Sequence, residues 1–257
     1  MATEVLGCGL GISKQPTGNQ KTGVNMKRRS WVAIAALVWA GAVAPAGAEN
    51  PNHLRQLLQN RECQRCELDR IDINNVDLRE AFANGADLRR ARLRDAKLAG
   101  IELVRADLRE SNFIGADLRN AVLFDANGIN ANFSGANLRE ARVQNVNFAR
   151  ANFQQANLIY AELAYTNLNG ANLSEARLRR ASLHRAGLAG ANLQKADLFR
   201  SDLFQADLRN ADLRGADLSE SNLSEADLTG ANTAGANFCN ATMPDGNRSK
   251  VGCPVGG

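Results

Sequence analysis

The chain has 257 residues, a formal net charge of +4, 44% hydrophobic residues and only 5% aromatic ones. Its apolar residues are mostly Ala and Leu, a composition that would suit a helical bundle, but their spacing, described below, excludes one. The positive charge would point to a nucleic-acid or membrane partner only if it persisted in the working protein, and on the reading that follows it does not.

Residues 1–25 are polar and contain glycine, and read as an extension upstream of a natural start at Met26. Residues 26–48 have the layout of an export signal. A basic start at Lys27, Arg28 and Arg29 leads into an apolar stretch from Trp31 to Val43, and Ala46 and Ala48 form an A-x-A cleavage site before Glu49. The apolar run is shorter than the roughly 18 residues a membrane span needs. Arg28-Arg29 also admits a twin-arginine reading. Removing residues 1–48 takes away five basic residues and one acidic residue and leaves 26 of each sign, a formal charge of zero. Neither a DNA-binding protein nor a polyanionic DNA mimic is expected to look like that.

Residues 49–65 read as a cap helix and linker. Leu54, Leu57 and Leu58 form one helical stripe over residues 52–60, with Asn52 as the expected N-cap.

From Cys66 onward every fifth residue is small, and the residue two places later is usually Leu or Phe. The segment ADLRN ADLRG ADLSE SNLSE ADLTG, residues 206–230, makes the unit plain, and the register holds to Asp245 without an insertion. A period of five fits neither a helix nor an isolated strand, so units that cannot bury their apolar residues alone must stack. This motif resembles the pentapeptide-repeat family, whose consensus is A(D/N)LXX. The resemblance implies an all-β fold, a right-handed quadrilateral β-helix in which each pentapeptide makes one side and four make a coil. Residues 66–243 would then form a solenoid of about nine coils, roughly 43 Å long at the usual strand spacing, with a short N-terminal capping α-helix at one end. Central residues such as Leu88, Leu93, Leu98 and Leu103 are expected to fill the lumen, and Phe113, Phe133 and Phe153, twenty apart, to stack there. Ala83 and Gly128 occupy central positions and are read as local bulges or bends. Residues 244–257, opening with Pro244-Asp245-Gly246, read as a C-terminal cap or tail.

Four cysteines follow the leader: Cys63, Cys66, Cys239 and Cys253. They allow three pairings. On the fold the resemblance implies, the two pairs stand at opposite ends of a rod, so local pairing of Cys63 with Cys66 and of Cys239 with Cys253 is expected. The Cys63-x-x-Cys66 spacing also admits a redox centre or half a zinc site. The ECxxCEL start and the NFCNATMPDG…GC end resemble the end segments of exported cyanobacterial members of the family, which implies a periplasmic or thylakoid-lumenal address.

No nucleophile and base, P-loop or dinucleotide fingerprint stands out, and no catalytic, cofactor or metal residue is assigned. What remains is surface. Ile159, Tyr160, Tyr165, Phe199 and Phe204 are expected to face outward and to contribute to a surface for an unidentified protein partner or a second copy of the chain. The expected role is a non-enzymatic, extracytoplasmic structural or interaction solenoid, without cofactor, nucleic acid or membrane span in the mature form. Two alternatives stay open: redox activity through Cys63 and Cys66, and the topoisomerase inhibition by DNA mimicry that the resemblance brings with it.

Overall fold

The computed structural model describes residues 50–254. The upstream extension and the export signal read from residues 1–48 lie outside the described residues.

One unit shows why a five-residue period is stable. In Ala136–Glu140, the Asn137 N–H donates to Ala116 O (2.9 Å) in the preceding coil, and the Leu138 and Glu140 N–H groups donate to Asn157 O (2.7 Å) and Ile159 O (3.1 Å) in the next. The Ala136 N–H closes the previous corner on Phe133 O (3.0 Å). That leaves the Arg139 N–H, which donates to the Asn137 side-chain oxygen (3.3 Å). All five amide donors have an acceptor, as a buried backbone requires. The Asp or Asn of the repeat supplies the fifth, bending the chain as an Asx turn.

Parallel bridges join residues twenty apart, from Glu62 with Phe82 to Asn222 with Thr242. They define four sides. Side 1 runs through Glu62, Phe82, Glu102 and onward to Thr242; side 2 from Glu67 to Asp227; side 3 from Asp72 to Asn232; side 4 from Asp77 to Asn237. Each corner ends on a residue of positive φ, whether it is glycine, as at Gly115 (67°), or not, as at Tyr160 and Tyr165 (both 60°).

Except in the last coil, where Leu228 and Ala231 are partly buried and Thr233 is exposed, the small and central residues of the repeat point into one continuous core, in which Leu108, Leu138 and Leu208 are 0% exposed. Phe113, Phe133 and Phe153 stack with centroids 4.8 and 5.0 Å apart and ring planes within 3°. The coil spacing is itself close to a stacking distance.

The two irregular units do not bulge. Asn127 bridges Asp107 in the preceding coil and Asn147 in the next, and Phe82 likewise bridges Glu62 and Glu102, so the register passes through both. Gly128 instead makes room: a Cβ there would overlap the Phe148 ring of the next coil. Phe148 uses that space to meet Phe133 and Phe153 edge-on, at 5.2 and 5.0 Å. A bulky residue in one coil thus fills the place that its neighbour vacates, which keeps the lumen at interior density. Ala83 has no such complement and borders a small, wholly apolar void beneath Leu57.

Helix α1, Pro51–Asn60, closes the N-terminal end with Leu54 and Leu57 buried and Leu58 partly so. Its N-cap is Asn50 rather than Asn52: the Asn50 side chain accepts from the Asn52 N–H (3.1 Å) and the His53 N–H. Pro51, which has no N–H to satisfy, takes the first helical position and moves the start two residues earlier. At the other end the chain turns through Pro244–Gly246 and runs back antiparallel, pairing Thr242 with Arg248. The Phe238 and Asn240 N–H groups donate to Val251 O and Ser249 O, so the return strand occupies the open edge of sides 4 and 1.

Restoring the family-like leucine with Gly128→Leu should destabilise the protein by about 1–3 kcal/mol through overpacking, and Phe148→Leu in the same chain should recover most of that loss. Urea unfolding measures both; a stabilised Gly128→Leu protein would show that Phe148 does not use the Gly128 space.

Candidate functional site

Three sides of the rod keep the Asx turn almost throughout. On side 3, for example, Asn152, Asn172 and Asn192 stack with side-chain amides 3.1 Å from the oxygen of the residue below. Where the unit reads Asp-Leu-Arg, the guanidinium folds back onto its own aspartate: Asp77 with Arg79 (2.6 Å), Asp117 with Arg119, Asp207 with Arg209 and Asp212 with Arg214 (each 2.7 Å). Hydrogen bonding from that arginine holds these four carboxyls below the usual aspartate value. Most of this charge is therefore neutralised within one repeat.

Side 1 is different. Its outward column reads Glu62, Phe82, Glu102, Val122, Arg142, Glu162, Ser182, Asp202, Asn222 and Thr242, so most of its units lack the Asx residue. Phe82 is 43% exposed, and Tyr160 (41%) and Tyr165 (50%) stand on the two corners that flank this side. Phe199 shares the Tyr160 corner and Phe204 the Tyr165 corner, both half-buried. In the same column as Phe204, Gln144 carries a buried side-chain oxygen with no hydrogen-bond partner among the described residues.

Arginines are interleaved with the rings. Arg139 and Arg180 lie 5.0 and 5.8 Å from the Tyr160 centroid, and the Arg180 guanidinium donates to the Tyr160 hydroxyl (3.2 Å). Arg179 and Arg200 lie 5.4 and 4.9 Å from the Phe199 centroid. On the other corner His184 stacks on Phe204 (5.2 Å) and meets Tyr165 edge-on (5.5 Å). At these distances guanidinium and ring attract each other, which helps fix the Tyr160 and Phe199 side chains.

Of the five residues expected outward, four flank side 1. Ile159 does not belong with them: it is 8% exposed. It occupies the inner of the two corner positions, with the long side chains of Arg139 and Arg179 one coil to either side in the same column. Sequence reasoning missed Phe82 and Val122 as parts of this face, although the twenty-residue column through Glu62 and Glu102 holds them.

Cys63 and Cys66 are joined, Cα atoms 5.4 Å apart, as are Cys239 and Cys253 at 4.7 Å. The first pair is buried (0% and 2% exposed) under α1. The His53 carbonyl oxygen lies 3.2 Å from the Cys63 sulfur, and the His53 ring accepts from the Glu67 N–H at Nδ1 (3.0 Å). Thiol exchange needs an accessible sulfur, so this arrangement suits a staple rather than a redox centre. Among the described residues no three His, Cys, Asp or Glu side chains converge as a metal site, and no helix is long and apolar enough to cross a membrane.

The Cys63–Cys66 bond should resist dithiothreitol in the folded protein. His53→Ala, which removes one acceptor worth about 1 kcal/mol, should speed its reduction about five-fold by loosening α1. Rapid reduction of the unsubstituted protein, followed by alkylation and mass spectrometry, would instead point to a redox-accessible pair.

A family model described as pentapeptide repeats matches the chain in eight copies between residues 66 and 245. Among solved structures, the chain resembles HetL, a pentapeptide repeat protein involved in heterocyst differentiation regulation from the cyanobacterium Nostoc sp. strain PCC 7120. The two share 35% identity over 76% of this chain and 97% of HetL, with a TM-score of 0.44. QnrB1, a plasmid-mediated fluoroquinolone resistance protein, is 21% identical over 66% of this chain and 88% of its own, with a TM-score of 0.49. A pentapeptide repeat protein from the Arabidopsis thaliana thylakoid lumen is 20% identical over 51% of this chain and 64% of its own, with a TM-score of 0.18. No curated protein matches significantly. The repeats imply a right-handed quadrilateral β-helix.

Proposed function

Because the chain belongs to the pentapeptide-repeat family, we propose that it is a non-enzymatic interaction solenoid of about nine coils that presents side 1 and its two corners to a protein partner. The observation that carries this reading is the departure of side 1 from the repeat. Most of its units give up the Asx oxygen that satisfies the fifth amide elsewhere, and they carry the apolar Phe82 and Val122 in a position that the other sides fill mostly with Asp or Asn. Tyr160 and Tyr165 sit on left-handed corner positions that Arg, Glu, Gln and Asn fill elsewhere, and they are the two aromatic residues among the described non-glycine residues of positive φ, with rings that gain little from burial. Local stability favours neither substitution, and a binding surface accounts for both.

The leader read from residues 26–48, together with two disulfides at the ends of the rod, supports work outside the cytoplasm, in a periplasm or thylakoid lumen. DNA mimicry suits this chain poorly. The charge remaining after the leader is balanced, and Asp-x-Arg pairing cancels much of the negative charge locally.

Tyr160→Ser/Tyr165→Ser/Phe199→Ser should leave the melting temperature within a few degrees, because these side chains lie outside the core, and should abolish crosslinking to the native partner. Recovery of the same partner at the same yield would remove side 1 as the interface.

A further inference from the structure

Resting on the interface reading above, we infer that the partner offers side 1 an acidic polypeptide segment that reaches across the Tyr160 corner to Arg177 on side 4, held by the arginine cluster of the run Arg177-Leu178-Arg179-Arg180-Ala181-Ser182-Leu183-His184-Arg185. The five-residue pitch turns Leu178, Ala181 and Leu183 inward and leaves all four arginines exposed. In this run the usual Asp-Leu-Arg becomes Arg177-Leu178-Arg179, so the aspartate that would neutralise the unit is replaced by a second cation. Arg179 finds Asp197 one coil on. Among the described residues, no carboxylate lies within ion-pair distance of Arg177, Arg180 or Arg185, nor of Arg142 on side 1. The nearby acids are already engaged: Glu140 with Arg139, Glu162 with the Gln144 amide, Asp202 with the Asn222 amide and Glu220 with Arg200.

The cluster's surroundings favour a polypeptide over a nucleic acid. A single strand binds by stacking bases on free aromatic faces, but here guanidiniums stand against Tyr160 and Phe199, and His184 covers Phe204. A duplex needs a continuous cationic track along its phosphates, whereas Glu162 and Asp202 interrupt side 1 on either side of Ser182. Separate carboxylates on flexible side chains can reach Arg177, Arg180 and Arg185 individually, and guanidinium with carboxylate is the strong form of such a contact.

The test uses the full chain after its leader and a fluorescent poly-glutamate peptide, followed by anisotropy at low salt. Binding is expected, weakening as salt is raised. Arg177→Ser/Arg180→Ser/Arg185→Ser should lower the affinity at least about ten-fold. Arg94→Ser/Arg150→Ser/Lys195→Ser, which removes the same charge from the corners flanking side 3, should change it less than about two-fold. Absence of binding, equal loss in the two variants, or tighter binding of a DNA oligonucleotide of equal charge would each overturn the proposal. So would a native partner that crosslinks to side 1 undisturbed by excess poly-glutamate, an outcome that leaves the interface itself standing.

Discussion

A pentapeptide has five amide donors and one short side to place them on, and the square coil depends on satisfying them. Three go to neighbouring coils, one closes a corner, and the Asx oxygen takes the last, as in Ala136–Glu140. Because most of these bonds run between coils, no coil is stable alone. Stability is a property of the stack, and the two ends must be covered. Helix α1 and the returning C-terminal segment do this in different ways, the first by laying Leu54 and Leu57 over the open lumen and the second by pairing with the last backbone edge. Each end also carries a disulfide, placed where the stack has only one neighbour.

The same constraint sets what the surface can do. With the lumen of the described coils lined by Leu, Phe and Ala, most of the chemical variety lies in the outward column and the corners. Residues twenty apart share a column, so a substitution repeated at that interval writes a stripe along the rod. Side 1 is such a stripe. Its aromatic and arginine residues come from units spread over much of the chain, from Phe82 to Phe204, yet the stack places them on one face.

Much of this is legible in the sequence, because the period that builds the fold is the period of the text. The lumen leucines, the Phe113–Phe133–Phe153 stack and the outward position of Tyr160 and Tyr165 all follow from counting in fives and twenties. What counting misses depends on neighbours in adjacent coils. Gly128 reads as a bend when its unit is taken alone, whereas Phe148, one coil on, fills its space. Ile159 shares its corner position with exposed residues but is shielded by its surroundings, a matter of side-chain length rather than register. The helix start is misplaced for a local reason, since Asn50 and Asn52 are equally good caps by type and Pro51 decides between them. Phe82 stands between two alanines that draw attention to the lumen, and only its own twenty-residue column reveals it as part of side 1.

The stacking of residues twenty apart is tested most directly by spin-label distances along one corner column. Labels at Arg105 and Arg185, four coils apart, should give a narrow distribution at about 19 Å plus the label's reach, and labels at Arg105 and Glu225, six coils apart, one about 10 Å longer, at about 4.8 Å per coil. A broad distribution, or a separation that does not grow in proportion to the number of coils, would contradict the square stack and everything placed upon it.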